Sequence, residues 1–588
     1  MKSIKASALA LSFILSVICS LSILTGSSSA QITPAIRVTP PAPGFTASYR
    51  QAELAKRRAA VAKKIGKDSI MVLMSTEPRI YTNDVDFFYR QENNLYYLTN
   101  LLQDNATLVL LPGNGSFQEV LFIPRRDPGA ETWTGHMYSR EEARALSGVK
   151  TILFTDELQA FLGTMKEKKV FTSQEGNTVF NTSALFAAPQ AAMKLYLLLP
   201  RTDGDDNGKR EYIREQQFAA TMKTVSGYKV ENAQPVFSPL RLVKSRMEIT
   251  MLQHAIDITT EAIMRSMAMA GRAKMEYEVQ AEVEYTFRRR NADYWGYPSI
   301  VGCGPNATTL HYVESQGRVK PGDLLLMDVG AEYDHLTADV TRTFPVNGKF
   351  TKEQAEIYQI VYDSQEAVAK ATKPGATLRE VHTAGAEIIK QRLAQLGLIT
   401  GPDALVPGTQ TPQYRLWFMH GTSHWLGMNV HDVGGGSKME AGSTFTNEPG
   451  VYIREDALDY FPDTPEIRAF VAAIKPAFEK YKNIGVRIED DMLVTATGSE
   501  WMTKRLPRSI RDIEAFMARM KTQKLSMLET HESSPVYALM SGGDPLLGAA
   551  ENNLWDPFGL NEFPAGITER QGWISSGKET ARAGLHGH

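Results

Sequence analysis

Two kinds of hydrophobic pattern divide this chain, and the change from one to the other falls near residue 237. Between residues 49 and 235, short apolar runs at 69–74, 106–111, 119–123, 151–154 and 195–199 alternate with stretches of helical spacing such as 52–65 and 211–224. Strands interleaved with helices predict an α/β domain over 49–237. The run Pro235-Val236-Phe237-Ser238-Pro239 interrupts that pattern and predicts a domain boundary at 235–240. Longer amphipathic helices are expected next, at 244–270 and 276–291. Strand-rich segments then run from 300 to 497, with further helices at 352–371 and 378–396. This second block, 238–520, predicts an α+β domain.

One hairpin in the second block carries an electrostatic problem. Two extended runs, 324–332 and 335–344, meet at Tyr333-Asp334. A two-residue turn there pairs 332 with 335 and, further along the ladder, 328 with 339. Asp328 and Asp339 are then expected to face each other with Cβ atoms roughly 4.5–5.5 Å apart. Two carboxylates beside Leu326, Met327, Val329 and Val340 repel and resist burial unless a cation lies between them.

Length and composition add limits. At 588 residues the chain exceeds one ordinary domain, and its 43% hydrophobic and 22% charged residues suit a soluble globular protein. A formal net charge of −2 gives no basic face and argues against nucleic acid as partner. Residues 1–30 read as a secretory signal peptide: Lys2 and Lys5, an uncharged run from 6 to 24, and small residues before Ala30. The expected mature protein is secreted or periplasmic, without stable membrane insertion. It would keep Cys303 alone and therefore form no internal disulfide. A Pro-rich linker is expected at 31–48, a surface insertion at 454–483, and a mobile extension over 521–588.

The candidate chemistry lies in the second block. His420, His424 and His431 fall within twelve residues, His311 stands in TTLHYVES, and Glu448 precedes Pro449-Gly450. In GVRIEDD, period-two alternation places Arg487, Glu489 and Asp491 on one face. A single histidine is more often structural than functional, and Glu489 alone could simply pair with Arg487. His420 and His424 have the i, i+4 spacing of a zinc-protease helix, but Gly421-Thr422-Ser423 between them lacks the required glutamate and disfavours a helix. The better composite joins Asp328, Asp339, Glu448 and Glu489 with one imidazole. That hard, oxygen-rich set suits two divalent cations, Mn²⁺ first, with Co²⁺ and Zn²⁺ as alternatives.

The segments HYVES, LLLMDVGAEY, ADVTRTFPVNGKFT, FMHGTSHWLGMNVHDVG, NEPGVYI and GVRIEDD resemble those of Xaa-Pro aminopeptidases (aminopeptidase P), in the pita-bread metallopeptidase superfamily. NDVDFFYRQENNLYYLTNL and RRDPGAETWTGH resemble that family's non-catalytic domain, so the likeness covers about residues 50–520. It implies Asp328, Asp339, His424, Glu448 and Glu489 as ligands of two metal ions. His311, His420 and His431 would line the substrate site, Glu448 would also shuttle protons, and Arg487 would bind beside the metal shell and substrate. The implied fold is an α/β amino-terminal domain followed by a pita-bread domain, a duplicated α/β unit with a curved antiparallel sheet. The implied reaction is release of the first residue from peptides with proline second, by metal-activated water, in a chain that could form a homo-oligomer.

Other readings stay open. A prolidase would cut Xaa-Pro dipeptides alone, and an exported binding protein could retain a vestigial site. Methionine aminopeptidases lack a comparable amino-terminal domain, and creatinase-like hydrolases lack the full ligand set. Three departures from the family pattern are the shorter link from His424 to Glu448, the 454–483 insertion, and the tail after 521.

Overall fold

The amino-terminal block is built on a mixed six-stranded sheet, described in a computed structural model that covers residues 36–112, 118–167, 169–174, 179–181, 193–200, 212–224 and 228–521. The expected signal peptide and the extension after 521 lie outside the described residues. Strand order is Tyr228–Asn232, Met193–Leu197, Ser69–Met74, Thr107–Leu111, Gln118–Ile123, Thr151–Phe154. The central strand Ser69–Met74 is buried along its whole length, which is why it reads as an unbroken apolar run rather than an alternation. Helix Ala47–Ile65 lies on this sheet, and its fully buried Arg58 bonds Glu119 and the carbonyls of Leu98 and Ser147. Residues Gly129–His136 belong to a separate compact unit, which contains most of the short helix Pro128–Thr134.

Two sequence expectations are revised at the edges of this block. Residues Pro235 to Pro239 lie inside helix Gln234–Leu242, with Pro235 in the first turn, where its missing N–H costs nothing. The expected linker is tied down: Arg37 pairs with Asp257, and Thr39 donates its N–H and hydroxyl to Glu261. Both acidic residues sit on helix Arg246–Met269 of the second block.

That second block opens with the helix pair Arg246–Met269 and Glu276–Arg289, and a second pair, Lys352–Ala371 and Leu378–Leu396, repeats the arrangement. Capping boxes start three of the four helices: Ser245 with Glu248, Thr351 with Gln354, and Thr377 with Glu380. Between and after the helices come antiparallel strands. Ile300–Cys303, Leu324–Val329 and Val340–Pro345 form one group, Thr444–Asn447, Asp490–Val494 and Ser499–Trp501 another, and Gly450–Ile453 pairs with Ile484–Arg487. This is the α/β plus pita-bread architecture expected from the sequence. Among the described residues, no helix is long and apolar enough to cross a membrane.

The turn lies one residue later than expected, which shifts the pairing register by two. Asp334 and His335, not Tyr333 and Asp334, form the turn, both with left-handed φ of 54° and 59°, so Tyr333 pairs with Leu336 and Glu332 with Thr337. Tertiary contacts select this turn. Tyr96 donates to Asp334 at 2.7 Å, Arg50 pairs with Asp334 at 3.0 Å, and the His335 ring stacks on Tyr96 at 3.8 Å. Asp328 therefore faces Thr341, and Asp339 becomes its diagonal neighbour on the same side instead of its opposite number. At Gly330 the two chains touch; a Cβ there would lie 1.8 Å from the Ala338 carbonyl oxygen.

The 454–483 segment is also more than a surface insertion. Its helix Pro465–Tyr481 buries Ile467 and places Phe470, Ile474, Phe478 and Tyr481 in the main core, and Phe478 stacks on the fully buried Trp417.

Candidate active site

Five chain segments converge on one buried cluster, and backbone hydrogen bonds hold them there. Asp328 is near the end of Leu324–Val329, and Asp339 immediately precedes Val340–Pro345. Glu448 follows Thr444–Asn447, and Glu489 sits where Ile484–Arg487 hands over to Asp490–Val494. His424 lies on a loop stitched to its neighbour strand: Thr446 N donates to the His424 carbonyl at 2.9 Å, and Glu448 N to that of Thr422 at 2.8 Å. Across the sheet, Glu489 N donates to the Thr341 carbonyl at 3.1 Å, and the Thr341 hydroxyl donates to Glu489 Oε2 at 2.6 Å.

These links bring ligand-capable atoms together. One donor atom each from Asp339, His424 and Glu489 lies within 4.8 Å of the others. His424 Nε2 is 3.2 Å from Asp339 Oδ2 and 3.5 Å from Glu448 Oε1. Asp328 joins through Tyr297, whose hydroxyl is 2.5 Å from Asp328 Oδ1 and 2.6 Å from Asp339 Oδ1. One hydroxyl proton cannot serve two ionised carboxylates, so this set holds more acceptors than donors.

Charge tells the same story. Four carboxylates share one guanidinium, that of Arg487, which pairs with Asp328 at 2.5 Å. Burial, then mutual repulsion, pushes Glu489 well above the usual carboxylate range. Burial also raises Asp339 and lifts Glu448 to about 7. Burial disfavours charge on His424, yet Asp339 and Glu448 outweigh it and raise the imidazole to about 9. A buried, oxygen-rich, electron-rich cluster with a single imidazole is a donor set that divalent cations fit.

The remaining sequence candidates divide into two groups. His420 and Arg487 are committed to the protein. Arg487 donates to the Tyr452 hydroxyl at 2.9 Å and to Thr341 at 3.0 Å; Tyr452 in turn reaches His420 Nε2 at 2.8 Å. His420 Nδ1 lies 2.7 Å from the Gly421 carbonyl, and burial and Arg487 push its pKa down to about 3, so the ring is neutral. His311 and His431, by contrast, are exposed, and the His431 ring stands 4.0 Å from that of His424.

Three residues around the cluster escaped the sequence reading. Tyr297 carries no motif signal. Tyr452 stands in the quoted NEPGVYI at the same parity as Glu448, so alternation could have found it. Alternation puts Asp491 on the Glu489 face without indicating a role; its Oδ2 accepts Asp339 N at 3.2 Å, while buried Oδ1 has no partner among the described residues.

The loop that carries His431 is braced from the junction between the blocks and from the amino-terminal block itself. Arg241 Nη2 pairs with the buried Asp432 carboxylate at 2.6 Å, with Lys244 Nζ on its other oxygen at 3.4 Å, and Arg241 Nη1 donates to Asn94. Asn93 donates to Asn429 at 2.6 Å, and Arg90 to the Met428 carbonyl at 2.7 Å.

Known proteins resemble this chain in sequence and fold. Residues 250–496 match Metallopeptidase family M24, and residues 54–171 match Aminopeptidase P, N-terminal domain. The Xaa-Pro aminopeptidase of Haemophilus influenzae is 32% identical over 479 residues, covering 80% of this chain and 99% of that protein. That of Escherichia coli K12 is likewise 32% identical, over 80% of this chain and 98% of its own length. The solved structure of E. coli aminopeptidase P with the inhibitor Pro-Leu superposes with a TM-score of 0.67 at 30% identity, covering 82% of this chain and 100% of that one. A variant of the same enzyme in complex with substrate gives 0.65 with the same coverage. The chain belongs to the Xaa-Pro aminopeptidases, divalent-metal-dependent hydrolases of the pita-bread superfamily.

Proposed function

We propose that this protein is an exported Xaa-Pro aminopeptidase that works with two divalent cations, Mn²⁺ foremost, held by Asp328, Asp339, His424, Glu448 and Glu489. The observation that carries the reading is the convergence of Asp339, His424 and Glu489 donor atoms within 4.8 Å, flanked by Asp328 and Glu448. When bound, such cations supply Lewis acidity, which lowers the pKa of water and polarises the scissile carbonyl.

The chain's own groups supply the rest. Glu448, half-buried and raised to about 7, takes a proton from the attacking water at a carboxylate oxygen and gives it to the departing proline nitrogen. His311 and His431 stand exposed and can donate to the peptide carbonyl as negative charge develops there. His420, already bonded at both ring nitrogens, acts instead with Tyr452 to fix Arg487 against Asp328. Thr341 and Tyr297 orient Glu489 and the aspartates.

Metal-stripped protein should regain release of the first residue from Xaa-Pro peptides as Mn²⁺ is added back. Turnover of longer peptides supports the aminopeptidase; turnover confined to dipeptides would instead identify a prolidase. Export follows from the 1–30 pattern, and amino-terminal sequencing of protein from the extracytoplasmic fraction should begin at Gln31. An intact Met1 there would refute cleavage.

A further inference from the structure

An exopeptidase that accepts long peptides needs little room for the residue it removes and an open path for everything that follows. A cavity of about 880 Å³ adjoins the metal-ligand cluster on one side: His431, with its ring 4.0 Å from that of His424, forms part of the wall. The opposite wall comes from the amino-terminal block, including Phe87, Phe88 and Ile213. That volume lies in the range of whole-ligand sites, far above the needs of one amino acid.

The rim is unusual in being apolar and exposed. Phe87 is 56%, Phe88 59% and Ile213 48% exposed, and the short hairpin beside them adds Ile80 at 69% and Tyr81 at 65%. The rings are nonetheless held in place. Tyr81 meets Phe87 edge-on at 5.0 Å, and Phe88 stacks on Tyr294 at 5.1 Å. Contiguous exposed apolar surface marks a binding site, and fixed rings cost less entropy to engage than free ones. Of the four arginines in the wall, Arg90, Arg214 and Arg241 are already neutralised by Glu332, Glu77 and Asp432. The exposed Arg79 stands in a wall that also carries Glu77, Glu92 and Glu215, so the cavity has little net positive charge for an acidic ligand.

We propose that this cavity is a subsite for the peptide downstream of the proline, and that Phe87 and Phe88 select apolar side chains at the third position and beyond; this rests on the proline-directed reading above. Continuity with the His431 wall singles out the substrate's own chain as occupant. The polar backbone of an extended peptide finds partners such as Asn429 on the same wall, while its side chains meet the aromatic rim.

The test compares two hexapeptides, Ala-Pro-Leu-Leu-Gly-Gly and Ala-Pro-Gly-Gly-Gly-Gly, with the Ala-Pro dipeptide as reference. For the full-length enzyme loaded with Mn²⁺, kcat/KM should be about tenfold higher on the leucine peptide than on the glycine one. In Phe87→Ala/Phe88→Ala that ratio should fall towards one, with the change in KM rather than kcat. An equal rate on both hexapeptides in the wild type, or a ratio that survives the double substitution, overturns the proposal. So does a double variant that sediments as a smaller species and loses the reference activity, since the rim would then be an interface between copies. If none of the three peptides is hydrolysed, the proline-directed reading itself has failed and takes this one with it.

Discussion

Tyr297 is the residue on which the ligand geometry turns. It is half-buried, it belongs to no proposed ligand set, and it touches both aspartates through one oxygen. Tyr297→Phe keeps the packing and removes that contact. Mn²⁺ affinity measured by calorimetry should drop roughly 10–100-fold, the usual cost of losing a partner that orients a ligand; an unchanged isotherm would mean the hydroxyl orients nothing. Away from the site, Asp293 offers a pH test. Burial, then the charges of Asp334 and Glu332, raises it to about 7, whereas an unfolded aspartate titrates near 4. A carboxyl with a raised folded pKa contributes its stability at low pH and loses it as pH climbs through the folded value. Asp293→Asn retains an acceptor for His335 N and carries no charge. The variant should melt higher than wild type at pH 8, by roughly 1–3 kcal/mol of stability, and the gap should close by pH 4. A constant gap at every pH would contradict the assignment.

At the scale of elements, the hairpin shows both what the sequence disclosed and where it stopped. Two extended runs over 324–344 locate both strands, and the clash of Asp328 with Asp339 points to a cation. The turn could not be placed from local pattern, because Asp334 and His335 adopt left-handed backbone only with Tyr96, Arg50 and Asp293 to hold them. All three are remote in sequence. The same limit explains Gln234–Leu242, where two prolines suggested a break but Phe237 and Leu242 had a core to enter. It explains 454–483 too, whose helix enters a core that the local sequence does not reveal. The proposed ligands, by contrast, all stand in segments recognisable in the sequence, and the structure brings Asp339, His424 and Glu489 together; the supporting Tyr297 carries no such signal. Gly330 gives this scale its test. Gly330→Ala would drive a methyl into the Ala338 carbonyl oxygen and the Tyr297 ring. The expected result is a loss of roughly 1–3 kcal/mol in thermal unfolding, with weaker Mn²⁺ binding as Asp328 and Asp339 are forced apart. Wild-type values for both would show that the crossing tolerates bulk.

For the whole molecule, Asn93 and Arg90 of the first block bond Asn429 and the Met428 carbonyl in the segment that carries His431, and that segment is braced within the second block as well. Asp432, beside His431, carries the charge that neutralises Arg241 and Lys244, and all three groups are buried. Asp432→Ala leaves two cations without a partner and should cost roughly 3–5 kcal/mol in denaturant unfolding; a loss below the error of that experiment would make the bridge incidental. The central claim remains that the carboxylate–imidazole cluster is the metal centre of a proline-directed aminopeptidase. Its most direct test is to titrate metal-stripped protein with Mn²⁺ while following release of the first residue from an Xaa-Pro peptide, beside Asp339→Ala. Activity should climb to a plateau at about two equivalents and stay near background in the variant. Full turnover without added metal, or undiminished turnover by Asp339→Ala, would contradict it.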